Sequence, residues 1–495
     1  MTDLGTTPAT AEATLDPRRW KALAVIAIAQ LMVVLDATVV NIALPSAQRA
    51  LHISTADRQW VITAYTLAFG GLLLLGGRIA DFMGRKRMFL VGLIGFAAAS
   101  ALGGLSQSAG MLFGARALQG AMGALMAPAA LSLITVTFTE AKERATAFGV
   151  YGAIAGGGAA LGLILGGVLT QYASWRWCLL VNTPVAIFAA IAGSRIVTES
   201  RAHGDTHYDL PGAAAVTAGL AALVYGFTMA DQHGWAAAST VSFLAAAAAL
   251  LVAFVVIELR TSHPLLPMRV LLDRNRGGSF LGSFLAGIGL FGMFLFLTYY
   301  LQGTLGYSAL RSGFAFLPFS AGIVVGAGAA SKVLPRIGPR PLMGGGFLAS
   351  ALGAAWFTRL GIHSSYVVHV LPAEVVMSVG MGFAFVALSS TALVGVGDHD
   401  AGVASALVNT TQQVGGSLGT ALLNTIAASA TTTFLAAHAR SATSTAVGLV
   451  HGYTVAFWYT TAFLVLAALA SIVFVHATRQ HVADAAKDEL GVVMA

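Results

Sequence analysis

The chain has 495 residues, of which 57% are hydrophobic and only 9% charged, with a mean hydropathy of +0.80. Apolar runs recur from end to end, too many to hide in one water-soluble core, which excludes a soluble multidomain enzyme. The net charge of +7 does not point to nucleic acid, because no basic stretch interleaves with aromatic residues for base stacking. The single cysteine, Cys178, excludes an internal disulfide framework and a cysteine-based metal site, and reads as a small buried hydrophobe.

A bilayer span needs roughly 20 apolar residues. Fourteen spans are predicted, starting near Trp20, Gln59, Met88, Met111, Thr146, Trp177, Pro211, Ser239, Gly278, Ser312, Pro341, Tyr366, Gly402 and Tyr453. The first run, Trp20 to Leu44, is too long for a signal-peptide core and lacks a small-residue cleavage site, so it is expected to remain as the first span. Arg18, Arg19 and Lys21 precede it, and most Lys and Arg residues fall in alternate loops. The positive-inside rule then places both termini in the cytoplasm of a plasma-membrane protein, the tail with Arg479 and Lys487 included.

Between the second and third spans lies Gly77-Arg78-Ile79-Ala80-Asp81-Phe82-Met83-Gly84-Arg85-Lys86-Arg87, a short basic turn hinged by glycine around one acid. Between the tenth and eleventh lies Lys332-Val333-Leu334-Pro335-Arg336-Ile337-Gly338-Pro339-Arg340. Aligning Gly338 with Gly84 sets Lys332 opposite Arg78 and Pro335 opposite Asp81, a decayed copy that has lost its acid. The chain therefore divides into a six-helix half (1–200), an inserted transmembrane hairpin and linker (201–262), a second six-helix half (263–480) and a tail (481–495). A two-helix insertion keeps the second half in its original orientation. The linker His263 to Arg276 is basic and amphipathic, suited to the membrane interface.

The first loop resembles the signature of the major facilitator superfamily of secondary transporters. Leu35-Asp36-Ala37-Thr38-Val39-Val40-Asn41-Ile42-Ala43-Leu44-Pro45 in the first span resembles the string that marks its fourteen-helix drug:proton antiporter branch. Arg116, Gln119 and Gly120 match the superfamily's fourth-helix motif, and Trp175-Arg176-Trp177 with Asn182 and Pro184 opens the sixth span as that branch does. Gly402 to Gly415, containing Asn409, Gln412 and Gln413, matches its thirteenth-helix string. The fifth span carries Gly152, Gly156, Gly162, Gly166 and Gly167 at small-residue spacing that favours close helix packing. It resembles the antiporter motif but has Leu163 where proline is usual, which weakens the inference of export. The resemblance implies two halves around a midplane site, no bound cofactor or metal, and a proton gradient as energy source. The implied partners are a small-molecule substrate, protons and the lipid bilayer, engaged by a monomer.

An ionisable group inside a span costs at least about 2.5 kcal/mol on insertion scales, so each is a functional candidate. Counting about 1.5 Å per residue from Trp20 puts Asp36 somewhat beyond the midplane. Arg116 sits at similar depth on a helix running the other way, with Gln119 on the same face one turn on. Asp36 and Arg116 are the candidates for proton coupling; permanent hydrogen bonding of Asp36 and outward snorkelling of Arg116 are the structural alternatives. Asn41, Gln119, Glu374, Asn409 and Gln413 are the candidates for substrate contact. Glu374 follows Pro372 near the start of its span, where a solvent-exposed helix end is the alternative. Gly77, Asp81, Gly84 and Arg85 are the candidates for a conformational latch, in which Asp81 docks on the positive N-terminal end of the thirteenth helix. His363, His369, His438 and His451 are expected in solvated outer loops.

Competing functions find little support. None of the five lysines follows glycine, so no nucleotide-binding loop is present. Gly415-Gly416-Ser417-Leu418-Gly419 and the Gly287, Gly289, Gly292 trio mimic hydrolase and dinucleotide patterns, but both lie in apolar helices without a preceding strand. A proton-coupled importer of a metabolite, and a dedicated exporter of an endogenous secondary metabolite, stay open beside multidrug export.

Overall fold

The computed structural model describes residues 17–477 except 56, 139, 202–208, 263, 267, 394–397 and 439–440. The N-terminal segment and the 481–495 tail lie outside the described residues. Every regular element described is helical. The long helices are α1 (Arg19–Ala50), α2 (Trp60–Met83), α3 (Arg85–Gly104), α4 (Ala109–Thr137), α5 (Ala141–Tyr172) and α6 (Trp177–Ile196). Next come α7 (Leu210–His233), α8 (Ala238–Arg260), α9 (Arg274–Thr304) and α10 (Ala309–Ile337). The last four are α11 (Pro339–Phe357), α12 (Tyr366–Ala392), α13 (Asp398–Ala437) and α14 (Ala442–Phe474). Twelve helices among the described residues are long and apolar enough to cross a membrane. Some side chains in the first half of α5 lie outside the described residues, and its described apolar stretch is Gly158–Tyr172, while α11 opens on the less apolar Pro339-Arg340-Pro341.

Local chemistry fixes several helix starts. Ser108, Asp209, Asp273 and Ser308 each accept a hydrogen bond from a backbone N–H in the first turn of α4, α7, α9 and α10. One start differs from expectation: α14 begins at Ala442, well before Tyr453. Ser441 and Ser444 form a reciprocal capping box there, which stabilises a first turn too polar to read as a span. His451 therefore lies within α14, with its ring 5.3 Å from that of Phe434, and His369 lies in the opening π-helical turn of α12. Neither is a loop residue.

The two loops aligned in sequence share one backbone device. Gly84 closes α2 with φ +110° and Gly338 closes α10 with φ +83°, and in each case the following residue begins the next helix. Both angles are accessible at little cost to glycine alone.

Helix association in lipid relies on close backbone approach at small residues. Within α1–α6, α2 packs on α4, α3 on α4 and α1 on α5. A methyl at Gly166 would sit 3.0 Å from the Val39 backbone, and one at Gly162 would collide with Thr38. Gly167 instead faces the Leu310 backbone of α10. The surroundings of Gly152 and Gly156 lie outside the described residues. Leu163, in the position of the missing proline, is buried, and its carbonyl meets Gly313 of α10. In the later part, α9 packs on α13, α11 on α12 and α10 on α12. α7 and α8 pack on each other, and α7 also touches both α2 and α13. The face of α8 that carries Val241, Val252, Val255 and Leu259 is exposed, as expected for a helix facing acyl chains.

Candidate functional site

Five of the first six helices converge on one buried carboxylate. Asp36 of α1 has no solvent exposure. Its Oδ2 accepts a hydrogen bond from Arg116 Nη1 of α4 at 2.6 Å. Its Oδ1 accepts from Gln119 Nε2 at 3.0 Å and from Asn182 Nδ2 of α6 at 2.8 Å. Arg116 is itself held on three other sides. Its Nε donates to the Val61 carbonyl of α2 at 3.0 Å, Nη1 also meets Gln119 Oε1 at 2.8 Å, and the guanidinium carbon lies 4.4 Å from the centre of the Tyr65 ring. Ser100 of α3 accepts from Gln119 Nε2 at 2.7 Å.

This geometry tells Arg116 apart from a snorkelling arginine: it is 1% exposed and points inward. A buried ion pair is maintained only when its leftover hydrogen-bonding capacity is also satisfied, and here amide, carbonyl and aromatic partners supply that. Asn182, Ser100 and Tyr65 were not singled out as site residues from the sequence. Asn182 carried the one available signal, an amide in the opening string of the sixth span. The Ser and Tyr have no charge to mark them in an apolar helix.

The other candidates are dispersed. Asn41 is buried, and its amide donates to the Ala37 carbonyl of its own helix at 2.9 Å. Asn409 is exposed on α13. Gln413 packs its Cβ against Gly70 of α2, and its Oε1 is buried without a partner. Glu374 is not an exposed helix end, because it is fully buried within the span. Its Oε2 lies 3.2 Å from the Tyr366 hydroxyl, and its Oε1 has no partner. The same hydroxyl lies 2.6 Å from the Ala315 carbonyl. One phenolic proton serves one acceptor fully, so the shorter contact leaves Glu374 under-satisfied.

At the latch candidates, Asp81 Oδ1 accepts from Arg85 Nε at 2.8 Å within a single turn. Gly77 faces Pro128 of α4. Side chains of residues 393–403, which include the start of α13, lie outside the described residues, so the docking of Asp81 on that helix is untested. An unforeseen partner is present: Glu199, from the segment after α6, accepts from the backbone N–H groups of Lys86 at 3.0 Å and Arg87 at 3.1 Å. It thereby caps the first turn of α3, where the helix dipole favours an anion. No group of three or more His, Cys, Asp or Glu residues able to hold a metal occurs among the described residues.

The pattern of the Major Facilitator Superfamily matches residues 26–420. The chain belongs to the major facilitator superfamily. It is 52% identical over 473 residues to a puromycin resistance protein of Streptomyces alboniger, covering 95% of this chain and 93% of that one. It is 40% identical over 414 residues to a cephamycin export protein of Amycolatopsis lactamdurans, covering 83% and 85%. A multidrug efflux pump of Mycolicibacterium smegmatis is 32% identical over 409 residues, covering 83% and 81%. Among solved structures, a bacterial homologue of the human lysosomal transporter Spinster superposes with a TM-score of 0.67 at 16% identity, over 94% of this chain and 98% of that one. That likeness shows the fold. The protein is thus a multi-pass membrane transporter of the major facilitator type, akin to antibiotic and drug efflux transporters, and not an enzyme.

Proposed function

We propose that this transporter exports hydrophobic, cationic antibiotics or related drugs in exchange for protons, working as a plasma-membrane monomer with both termini cytoplasmic. The observation that carries the reading is the Asp36 carboxylate, buried in the membrane interior and held by Arg116, Gln119 and Asn182. Such a group is costly to retain unless it works, and a carboxylate whose cation can be drawn away is a natural place for a proton to enter. The relatives named for cephamycin export and multidrug efflux support outward transport. We further read the chain as fourteen spans in two six-helix halves, with α7–α8 as an inserted hairpin. Supporting this are the matching glycine turns at Gly84 and Gly338 and the way α7 and α8 pack mainly on each other. Dedicated export of one endogenous antibiotic is favoured as a second reading by the relative named for cephamycin export.

Reconstituted vesicles test the proposal directly. An imposed pH gradient should drive accumulation of a lipophilic cation such as ethidium, and collapse of the gradient should stop it. Accumulation unaffected by the gradient would remove proton coupling. In the same assay Glu374→Gln should impair transport of cations several-fold more than of neutral compounds, because a buried carboxylate gains most from a cationic partner. Equal loss for both classes would move Glu374 out of substrate recognition.

The Asp81 turn is read as the latch of the cycle. Asp81→Asn should leave the protein folded and inserted, since its ion pair with Arg85 is partly solvated and of modest worth, yet slow turnover severalfold. Wild-type transport by a normally expressed Asp81→Asn protein would discard the latch.

A further inference from the structure

Away from the Asp36 cage, a second buried arginine has no counter-ion among the described residues. Arg58, just before α2, is 4% exposed and forms no ion pair among the described residues. Its Nε donates to Asn424 Oδ1 of α13 at 2.9 Å, and its guanidinium carbon lies 4.0 Å from the centre of the Tyr299 ring of α9. The Tyr299 hydroxyl donates to Gln48 of α1. Asn424 in turn donates to the Thr55 carbonyl and to Gln59 Oε1, each at 3.0 Å. These contacts join the end of α1 and the start of α2 to α9 and α13. They lie at the end of the bundle where Gln302 of α9 donates to the Ile42 carbonyl and Gly313 of α10 meets Leu163 of α5.

The extra helix α7 closes the arrangement from behind. Gln59 Nε2 donates to Thr228 Oγ1 at 3.3 Å, and Thr425 Oγ1 donates to the Phe227 carbonyl at 3.0 Å. Below these bonds, Leu220 and Val224 of α7 pack with Leu67 of α2 and with Leu418 and Ala421 of α13. One helix thus covers the seam between α2 and α13.

We propose that Arg58 and Asn424 form the clasp of the gate at this end of the transport pathway, and that α7 braces it. Alternating access requires contacts between the early and late helices at one end to break in each cycle. Neutral partners make this clasp reversible. A guanidinium buried against an amide and a ring is released at far smaller cost than one torn from a buried carboxylate, and entering water solvates it at once. The Asp36–Arg116 pair differs in that it lies wholly within α1–α6 and can survive the opening. Arg58 is a positioning residue on this account and touches no substrate.

The test uses the full-length protein with Cys178→Ser and a reporter Ser417→Cys, because Ser417 is buried on α13 between Asn424 and Gln413. With the N terminus cytoplasmic, the clasp faces outward. A membrane-impermeant maleimide added to intact cells should label the reporter slowly, and Arg58→Ala or Asn424→Ala should speed labelling at least tenfold. Arg58→Lys should fall between, and Thr228→Val with Thr425→Val should give a smaller acceleration. Unchanged labelling in a membrane-inserted Arg58→Ala protein would overturn the proposal. Acceleration confined to inverted vesicles would uphold the clasp and overturn the proposed orientation instead. A second readout does not depend on a variant that opens: Arg58→Cys with Asn424→Cys, joined through two mixed disulfides by a bis-methanethiosulfonate, should arrest whatever transport remains, and a reductant that cleaves those disulfides should restore it. Transport that continues while the pair is joined would also overturn the clasp.

Discussion

Asp36→Asn is expected to abolish uphill accumulation of substrate in vesicles with an imposed pH gradient, while substrate binding stays measurable. The substituted amide fills the same space but cannot exchange a proton. Its carbonyl can still accept from Arg116, but Gln119 and Asn182, which both donate to the other oxygen, must turn their amides to meet the added N–H. Arg116 also loses its counter-ion, so a loss of stability is expected beside the loss of coupling. Asp36→Glu keeps the acid and should retain some transport, reduced because Arg116 and Asn182 grip the carboxylate from two sides at 2.6 and 2.8 Å and a longer side chain must disturb one of them. Downhill exchange by Asp36→Asn without net uphill movement would agree with the assignment. Gradient-driven accumulation at the wild-type rate would refute it and shift the coupling role towards Glu374.

The second large effect is on stability. Arg116→Met should destabilise the protein by about 3–5 kcal/mol, the range for leaving one member of a buried ion pair without its partner. Asp36, fully buried, would keep only two amide donors. Adding Asp36→Asn to Arg116→Met should recover much of the loss, because the orphaned charge is then gone. The comparison is made on thermal unfolding midpoints in detergent across the single and double variants. If the double variant were as unstable as the sum of the two singles, the pair would be carrying no mutual stabilisation.

Much of this was legible in the sequence, for identifiable reasons. Charge inside an apolar span is conspicuous, so Asp36 and Arg116 stood out, and their equal depth on antiparallel helices could be counted. The glycine turns were legible because Gly84 and Gly338 sit in matching basic loops. Neutral polar groups gave no comparable signal. Ser100 looks ordinary in a helix, Asn182 is marked only by its place in the opening string of the sixth span, and only packing brings them to Gln119 and Asp36. Arg58 carries no signal in the sequence, because its partners Asn424 and Tyr299 lie hundreds of positions away. The start of α14 was missed because the Ser441–Ser444 capping box makes helical a stretch whose polarity argued against a span. Glu374 could not be judged from its distance to a helix end, since the π-helical turn at Tyr366 carries the helix past that polar start.

The matched turns at Gly84 and Gly338 have the same backbone but opposite electrostatic character. Around Gly84, Asp81 and Glu199 hold the cationic strand together by attraction, through Arg85 and the first turn of α3. Around Gly338, the exposed Lys332, Arg336 and Arg340 fall within nine residues with no acid in the loop. Dissolved ions screen such exposed charges over about 8 Å at physiological ionic strength. Added salt therefore loosens the first elbow, by weakening attraction, and relaxes the second, by weakening repulsion. Two joints built on one geometric plan are thus tuned by the same ions in opposite directions.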